Sequence, residues 1–587
     1  MITRRFLMNN LKKLGYIFDR KQKSRLVFLG VLIFIGGVLE TLGVSALLPV
    51  VAALVDVDAT MDKWYVRPIL DVFHIYDPTQ FIMILLSALI VIYIIKNAYL
   101  LILVNVRTKF ITYNKNTLIS RVLREFLNRP YEFYLDADIP TVFRLTDSDI
   151  PNVFNMIMAM ISLASEVVVF VMICMVLVLK DWKMTGFLVV VMLVMTLLLT
   201  KVLKPQLSRL GKKNQDIQSR IAKWRIEAIY GIKDVKVLHR EAFFADNYEA
   251  SGEIGAGIAK VYAVLNSLPR ILVETVFICS ILGYIMVYML LGNDLQALVE
   301  TLTVFGAAAV RLMPCVNRIN TYITEVAYAQ PSLDYVYENL NMSAVTRAND
   351  RTVAAKNPAV TMQLKDQIEL KNIEYAYPNT DTMIFTGADM IVPYGKSVGI
   401  MGPSGAGKST VVDILLGLLK AKKGTITCDG VDVFENYPSW LAQIGYIPQS
   451  IYLVDEPIRN NIAFGIADDE IDDQRIWEVL EEAQLKEFIE TLPERLDTTI
   501  GDRGVRLSGG QRQRLGIARA LYHNPEILVF DEATSALDNE TEAAVMEAIN
   551  SFHGKKTMVI IAHRLNTIEK CDMIYKVADG KIERTTL

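Results

Sequence analysis

Gly402-Pro403-Ser404-Gly405-Ala406-Gly407-Lys408-Ser409 is the stretch on which the reading of this chain turns. It follows the short apolar run Ser397 to Met401, which reads as a buried parallel strand. Gly402, Gly405 and Gly407 let the backbone turn tightly and aim its N–H groups at phosphate oxygens, and the N-terminus of the next helix adds its positive end. In such a loop Lys408 reaches the β and γ phosphates of ATP and Ser409 offers its hydroxyl to Mg2+. Pro403, Ser404, Ala406 and Thr410 complete the stretch expected to surround the nucleotide. Further on, Ile527-Leu528-Val529-Phe530 reads as another buried strand ending in Asp531 and Glu532. Behind a phosphate loop, that acidic pair is placed to hold the metal through water (Asp531) and to polarise an attacking water (Glu532).

Working outward, 587 residues exceed one domain, and a 52% hydrophobic content exceeds that of a soluble protein. The apolar surplus lies before residue 340, in runs near 26 to 54, 81 to 105, 156 to 179, 184 to 203, 268 to 292 and 295 to 313. Each is long enough for a membrane-spanning helix. The expected division is a cytoplasmic interfacial helix over 1–25, a six-helix membrane domain over 26–342, a polar linker over 343–366 and a soluble α/β domain over 367–587. The fold class expected is therefore an all-α membrane domain followed by an α/β P-loop ATPase domain. Residues 106 to 150 and 204 to 260 are rich in Arg and Lys, whereas 55 to 80 holds only Lys63 and Arg67, so both termini and the two long loops are expected in the cytoplasm. Those loops extend the flanking helices past the bilayer and turn at Pro130-Tyr131-Glu132-Phe133-Tyr134 and Ala228-Ile229-Tyr230-Gly231-Ile232, the expected contacts to a motor.

A formal net charge of −3, with no aromatic-basic platform, argues against a nucleic-acid partner. The five cysteines are scattered without CxxC or Cys/His spacing, so neither a disulfide nor a structural zinc is expected. Charges inside apolar runs are costly and need a reason. Glu40, Lys96, Glu166, Arg270, Glu274, Arg311 and Arg318 are such charges, and Arg270 with Glu274 has the i, i+4 spacing of a self-satisfying pair. Lys96, Arg270 and Arg311 together bias the interior towards cations, which suits a substrate carrying phosphate. Pro49, Pro269 and Pro314 are expected to kink or end helices.

Leu507-Ser508-Gly509-Gly510-Gln511, followed by Arg512-Gln513-Arg514, resembles the signature sequence of ATP-binding cassette proteins, and the whole chain resembles their exporter subfamily. The resemblance implies a homodimer in which two cassettes close on two ATP molecules, each held between one chain's phosphate loop and the other chain's Ser508, Gly509, Gly510 and Gln511. It further implies that Tyr377 stacks on adenine, that Gln449 senses Mg2+, that His563 contacts the γ phosphate, and that Asp538 belongs to the loop joining the two sites. ATP binding would then open the pathway outward and hydrolysis would reset it. A bacterial-type inner or plasma membrane is implied as well.

Leu268 to Glu274 and Val310 to Arg318 resemble segments of the flippases for lipid-linked oligosaccharides. That narrower resemblance implies a polyprenyl-diphosphate-linked glycan as substrate. An exporter of peptides, other lipids or drugs is the alternative, and an ATP-gated channel or regulator is a further one.

Overall fold

A computed structural model describes residues 12–586 apart from 47–49, 51–52, 54–56, 64–65, 68–69, 71–76, 137, 179–181, 291–294, 350–356, 358, 502–503, 533–538 and 563; the side chains of 295–311 and 342–349 also lie outside the described set. The chain divides into two compact units, one of Met1–Leu127 with Asp138–Ala344, the other of Asn128–Ala137 with Val345–Leu587.

The first unit is helical. Its main elements are α1 (Arg20–Ser45) and α2 (Pro78–Leu127), then α4 (Ile150–Val178), α5 (Trp182–Tyr230), α6 (Ile232–Val237), α7 (Glu241–Leu290) and α8 (Leu295–Asn349), while the five-residue α3 (Tyr131–Leu135) belongs to the second unit. At 50 residues α2 is about 75 Å long, more than twice a hydrocarbon core of about 30 Å, so part of it must stand outside lipid. Among the described residues, five stretches are long and apolar enough to cross a membrane: Arg20–Glu40, Pro78–Leu127, Ile139–Met175, Trp182–Tyr230 and Glu241–Leu290. The sixth expected span, 295 to 313, falls at the start of α8, where side chains lie outside the described residues.

Met184, Leu188, Met192, Leu199, Leu203 and Leu207 recur at helical spacing on α5 and pack against Val169, Ile173 and Leu177 of α4, Val273 and Phe277 of α7 and Leu312 of α8. Gly211 lets α5 approach α8 closely, since a Cβ there would lie 2.2 Å from the carbonyl oxygen of Tyr328. Of the kink or helix end expected at Pro269 and Pro314, the end does not occur: α7 and α8 run through them. Pro49 lies outside the described residues.

The second unit is an α/β domain with two sheets. β1 (Gln367–Tyr375), β2 (Phe385–Pro393), β4 (Lys423–Cys428) and β5 (Val431–Asp432) form an antiparallel sheet in the order β2-β1-β4-β5. β3 (Ser397–Met401), β6 (Ile444–Ile447), β7 (Ile527–Asp531), β8 (Thr557–Ile561), β9 (Met573–Ala578) and β10 (Lys581–Thr585) form the other, ordered β10-β9-β3-β8-β7-β6. All its pairings are parallel except β9 with β10. β7 and β8 are buried at every position, because both faces of this sheet are covered, and so their sequences are unbroken apolar runs rather than alternating ones.

The first loop tip folds as α3 and sits with this domain. The backbone N–H of Lys420 donates to Glu132 Oε1 at 2.9 Å, and Asn379 Nδ2 donates to Asp136 Oδ2 at 2.9 Å. The second tip turns at Gly231 into α6 and belongs to the helical unit.

Candidate functional site

The phosphate loop leaves the carboxyl end of β3, a strand flanked by β8 and β9. Gly402 passes so close to β9 that a Cβ would lie 2.3 Å from the carbonyl oxygen of Val577. Gly407 caps α9 (Lys408–Leu415) at φ 101°, a left-handed conformation that costs a side-chain-bearing residue about 1 to 2 kcal/mol. Lys408 is only 5% exposed, and its ammonium donates to the carbonyls of Gly402 and Pro403, each at 3.1 Å. A buried ammonium needs such acceptors, and these two hold Lys408 across the loop it is expected to serve.

Ser409 and Asp531 meet where β3 and β7 end: the Ser409 hydroxyl donates to Asp531 Oδ1 at 3.4 Å. Asp531 is 8% exposed, and its carboxyl is raised above the usual range by burial and by the neighbouring Glu532, against hydrogen bonds from Ser409 and Tyr446. Asp413, one turn along α9 from Ser409, is pushed up to about 6 by burial and by Asp531. A hydroxyl beside a carboxylate is a hard-oxygen donor set that fits Mg2+. Glu532 adopts φ 51°, left-handed for a residue with a side chain, and Gln449 Nε2 donates to its Oε2 at 2.7 Å. Strain of that kind at a strand end turns the carboxylate out of the sheet register. A hydrogen-bonded carboxylate beside a phosphate loop can take a proton from a water attacking phosphorus.

Tyr377 lies on the other side of α9, its hydroxyl 2.9 Å from Thr410 Oγ1 and its ring edge-on to Tyr375 at 5.4 Å. Its ring borders a cleft of about 490 Å3 that also takes in Glu132, Asp381, Lys420 and Lys422. Ser508 begins α10 (Gly509–Leu521) with a reciprocal cap: its Oγ accepts from the Gln511 N–H at 3.2 Å, and Gln511 Oε1 accepts from the Ser508 N–H at 2.8 Å. Among the described residues, no hydrogen bond links Ser508–Gln511 to residues 402–409 of the same chain. His563 and Asp538 lie outside the described residues.

Residues 385–535 match the family described as ABC transporter, and residues 26–308 match the ABC transporter transmembrane region. The chain belongs to the ABC transporters. This ABC transporter chain is 43% identical over 225 residues to ABC transporter B family member 22 of Arabidopsis thaliana, covering 38% of this chain and 18% of that protein. It is 31% identical over 375 residues to an ATP-dependent lipid A-core flippase of Saccharophagus degradans, covering 64% of this chain and 62% of the flippase. It thus spans less than two thirds of either relative. A solved structure of a bacterial Atm1-family ABC exporter with ATP bound shares its fold, with a TM-score of 0.77 at 20% identity over 96% of this chain and 95% of that one.

In the membrane unit of this ABC transporter the expected cations are arranged differently from one another. Arg318 pairs with the buried Glu166 at 2.9 Å. Arg270 and Glu274 are both exposed, and among the described residues they form no ion pair, so their i, i+4 spacing is not used. Lys96 is half-buried, with its ammonium 4.2 Å from the Tyr93 ring centroid and its stem beside Gly43. The Arg311 side chain lies outside the described residues.

Two polar clusters escape sequence reading. Asp149, fully buried, accepts from Arg144 Nε at 3.0 Å and from Gln215 and Ser332 at 2.7 Å each, while the Arg144 guanidinium lies over Tyr335. In the cassette, Arg519 of α10 donates to the carbonyls of Asn461 and Tyr452 at 2.7 and 2.6 Å, and burial lowers it to about 10. Both join elements far apart in sequence, and a local motif announces neither.

Proposed function

We propose that this chain is an ATP-driven exporter which moves an amphiphilic substrate across a membrane, working as a pair of identical chains with both termini in the cytoplasm. In this reading 26–342 form the pathway and 367–587 the motor. The observation that carries the ATP-driven part is the Gln449–Glu532 hydrogen bond next to Ser409, Asp531 and the phosphate loop. The loop N–H groups and Lys408 bind the phosphates, and Gln449 holds the Glu532 carboxylate in orientation. Glu532 then takes the proton of the attacking water. Mg2+, held by Ser409 and Asp531, would neutralise charge on the β and γ phosphates. The capped start of α10, which among the described residues makes no hydrogen bond to its own phosphate loop, supports a second copy as the chain whose nucleotide it closes on. The α3 segment, tied to the cassette through Glu132 and Asp136, supports mechanical coupling.

For the substrate we propose a polyprenyl-diphosphate-linked oligosaccharide, flipped from one leaflet to the other. Lys96 and Arg270 lie in apolar helices and form no ion pair among the described residues, which suits the charge of a diphosphate. A relative named as an ATP-dependent lipid A-core flippase supports a lipid rather than a peptide. The test is ATP-dependent translocation of a fluorescently tagged polyprenyl diphosphate glycan in proteoliposomes. Loss of translocation in Glu532→Gln, with ATP hydrolysis down by about 10^2 to 10^4 fold, is expected if Glu532 is the general base. Arg270→Ala should depress translocation. Vigorous ATP hydrolysis with no translocation by the intact protein would move the reading to peptides or drugs.

A further inference from the structure

A second cavity, of about 400 Å3, lies wholly within the helical unit, where the start of α4 meets the inner stretches of α2, α7 and α8. That volume falls in the usual range for small-ligand sites. Its floor is apolar, formed by the buried Met158, Ala159 and Ala329. Its walls carry Asn152 and Asn155 from α4, Arg107 from α2 and Glu325 from α8. Three tyrosines complete it: Tyr262 and Tyr328, with ring centroids 4.2 Å apart, and Tyr322 one helical turn and a half before Tyr328. Among the described residues, none of these polar side chains makes a hydrogen bond or ion pair within the protein. So many donors and acceptors converging on one space, unused by the fold, call for a polar occupant.

The chemistry of the lining narrows that occupant. Arg107 and Glu325 both line the cavity, one formal charge of each sign, so its lining has no formal excess of positive charge for a phosphate. A lipid tail gains nothing from two amides, a guanidinium and a carboxyl. Peptide recognition uses a free strand edge or an apolar groove, and this cavity of helix faces offers neither. A hydroxyl-rich ring matches every feature: each hydroxyl both donates and accepts, as an Asn amide does, while the apolar face of the ring lies against aromatic side chains.

We propose that this cavity binds a neutral sugar unit, and that it receives the glycan headgroup while Lys96 and Arg270 serve the charged linkage; the second clause rests on the flippase reading above. The test uses the full chain in lipid nanodiscs, with N,N′-diacetylchitobiose as probe and saturation-transfer NMR as readout, and sodium diphosphate as the competing probe. Saturation should reach the N-acetyl and ring protons of the disaccharide, and its apparent Kd should rise at least tenfold in both Asn152→Ala and the more conservative Tyr322→Phe. Absence of transfer to the disaccharide, or transfer undiminished in both variants, overturns the proposal. So does a diphosphate that displaces the disaccharide and loses affinity in the same variants. If the chain flips a polyprenyl diphosphate glycan yet gives no transfer to chitobiose, the cavity assignment falls and the flippase reading stands. If transfer is seen and lost in the variants while no such lipid is flipped, the sugar site stands and the polyprenyl reading falls.

Discussion

In the cassette, β7 and β8 hide every side chain, whereas on α2 Ile90, Ile94 and Leu101 are 61%, 63% and 73% exposed. Both regions are rich in branched aliphatic residues, so composition alone does not separate them. What separates them is the direction in which those residues face, because the cassette folds against water and α2 against lipid. Buried polarity is inverted in the same way. The cassette core joins strands by backbone pairing and holds Asp531 at a strand end, while the helical unit buries Asp149 at the meeting of separate helices. Apolar packing therefore specifies the cassette, and a satisfied polar network helps specify which helices of the other unit meet.

The sharpest way to break this comparison is to remove one residue of each kind. Phe530→Ala should cost about 3 to 5 kcal/mol through the cavity it leaves, and Asp149→Ala about 3 to 5 kcal/mol by stranding the buried Arg144. Ile94→Ala, on the lipid-facing kind of surface, should change stability by less than about 1 kcal/mol. The temperature at which half the detergent-solubilised protein leaves the monodisperse chromatographic peak ranks all three, and a large loss for Ile94→Ala would end the contrast. A smaller effect, about 1 kcal/mol, is expected for Ser508→Ala, which removes one half of the reciprocal cap on α10. Its signature is faster amide hydrogen exchange over 509–512, with exchange at α9 unchanged.

The last effect depends on pH. The Asp413 carboxyl is raised to about 6 in the folded chain from an ordinary 3.8, so between those values the folded state binds more protons than the unfolded one. Stability from this group is consequently greatest below pH 4 and declines as pH rises through 6. Asp413→Asn should flatten that decline and leave the variant more stable than the parent at pH 7; thermal midpoints measured from pH 5 to 8 read it directly.

The motor was legible because its chemistry is local. Gly407, Lys408 and Ser409 lie within three consecutive positions, and a strand running into Asp531-Glu532 needs no knowledge of distant contacts. The loop tips read as turns in the sequence, and the structure adds a short helix after Pro130 and another after Gly231. Pairings between charges on one helix were less legible. The Arg270–Glu274 spacing suggested a pair that is not made, because side-chain direction and the neighbouring helices decide whether two correctly spaced groups meet. Arg318 found Glu166, 152 positions away, instead.

The sequence alone determined the two solvents of this chain, its phosphate loop, the acidic pair behind it and the signature helix, since periodicity and turn chemistry are written in neighbouring residues. Only the tertiary structure decided that Gln449 holds Glu532, that Asp149 gathers Arg144, Gln215 and Ser332, and that three tyrosines, two amides, an arginine and a glutamate line one cavity. Those are meetings between elements far apart in the chain, and packing, which selects the partners, is a property of the whole fold.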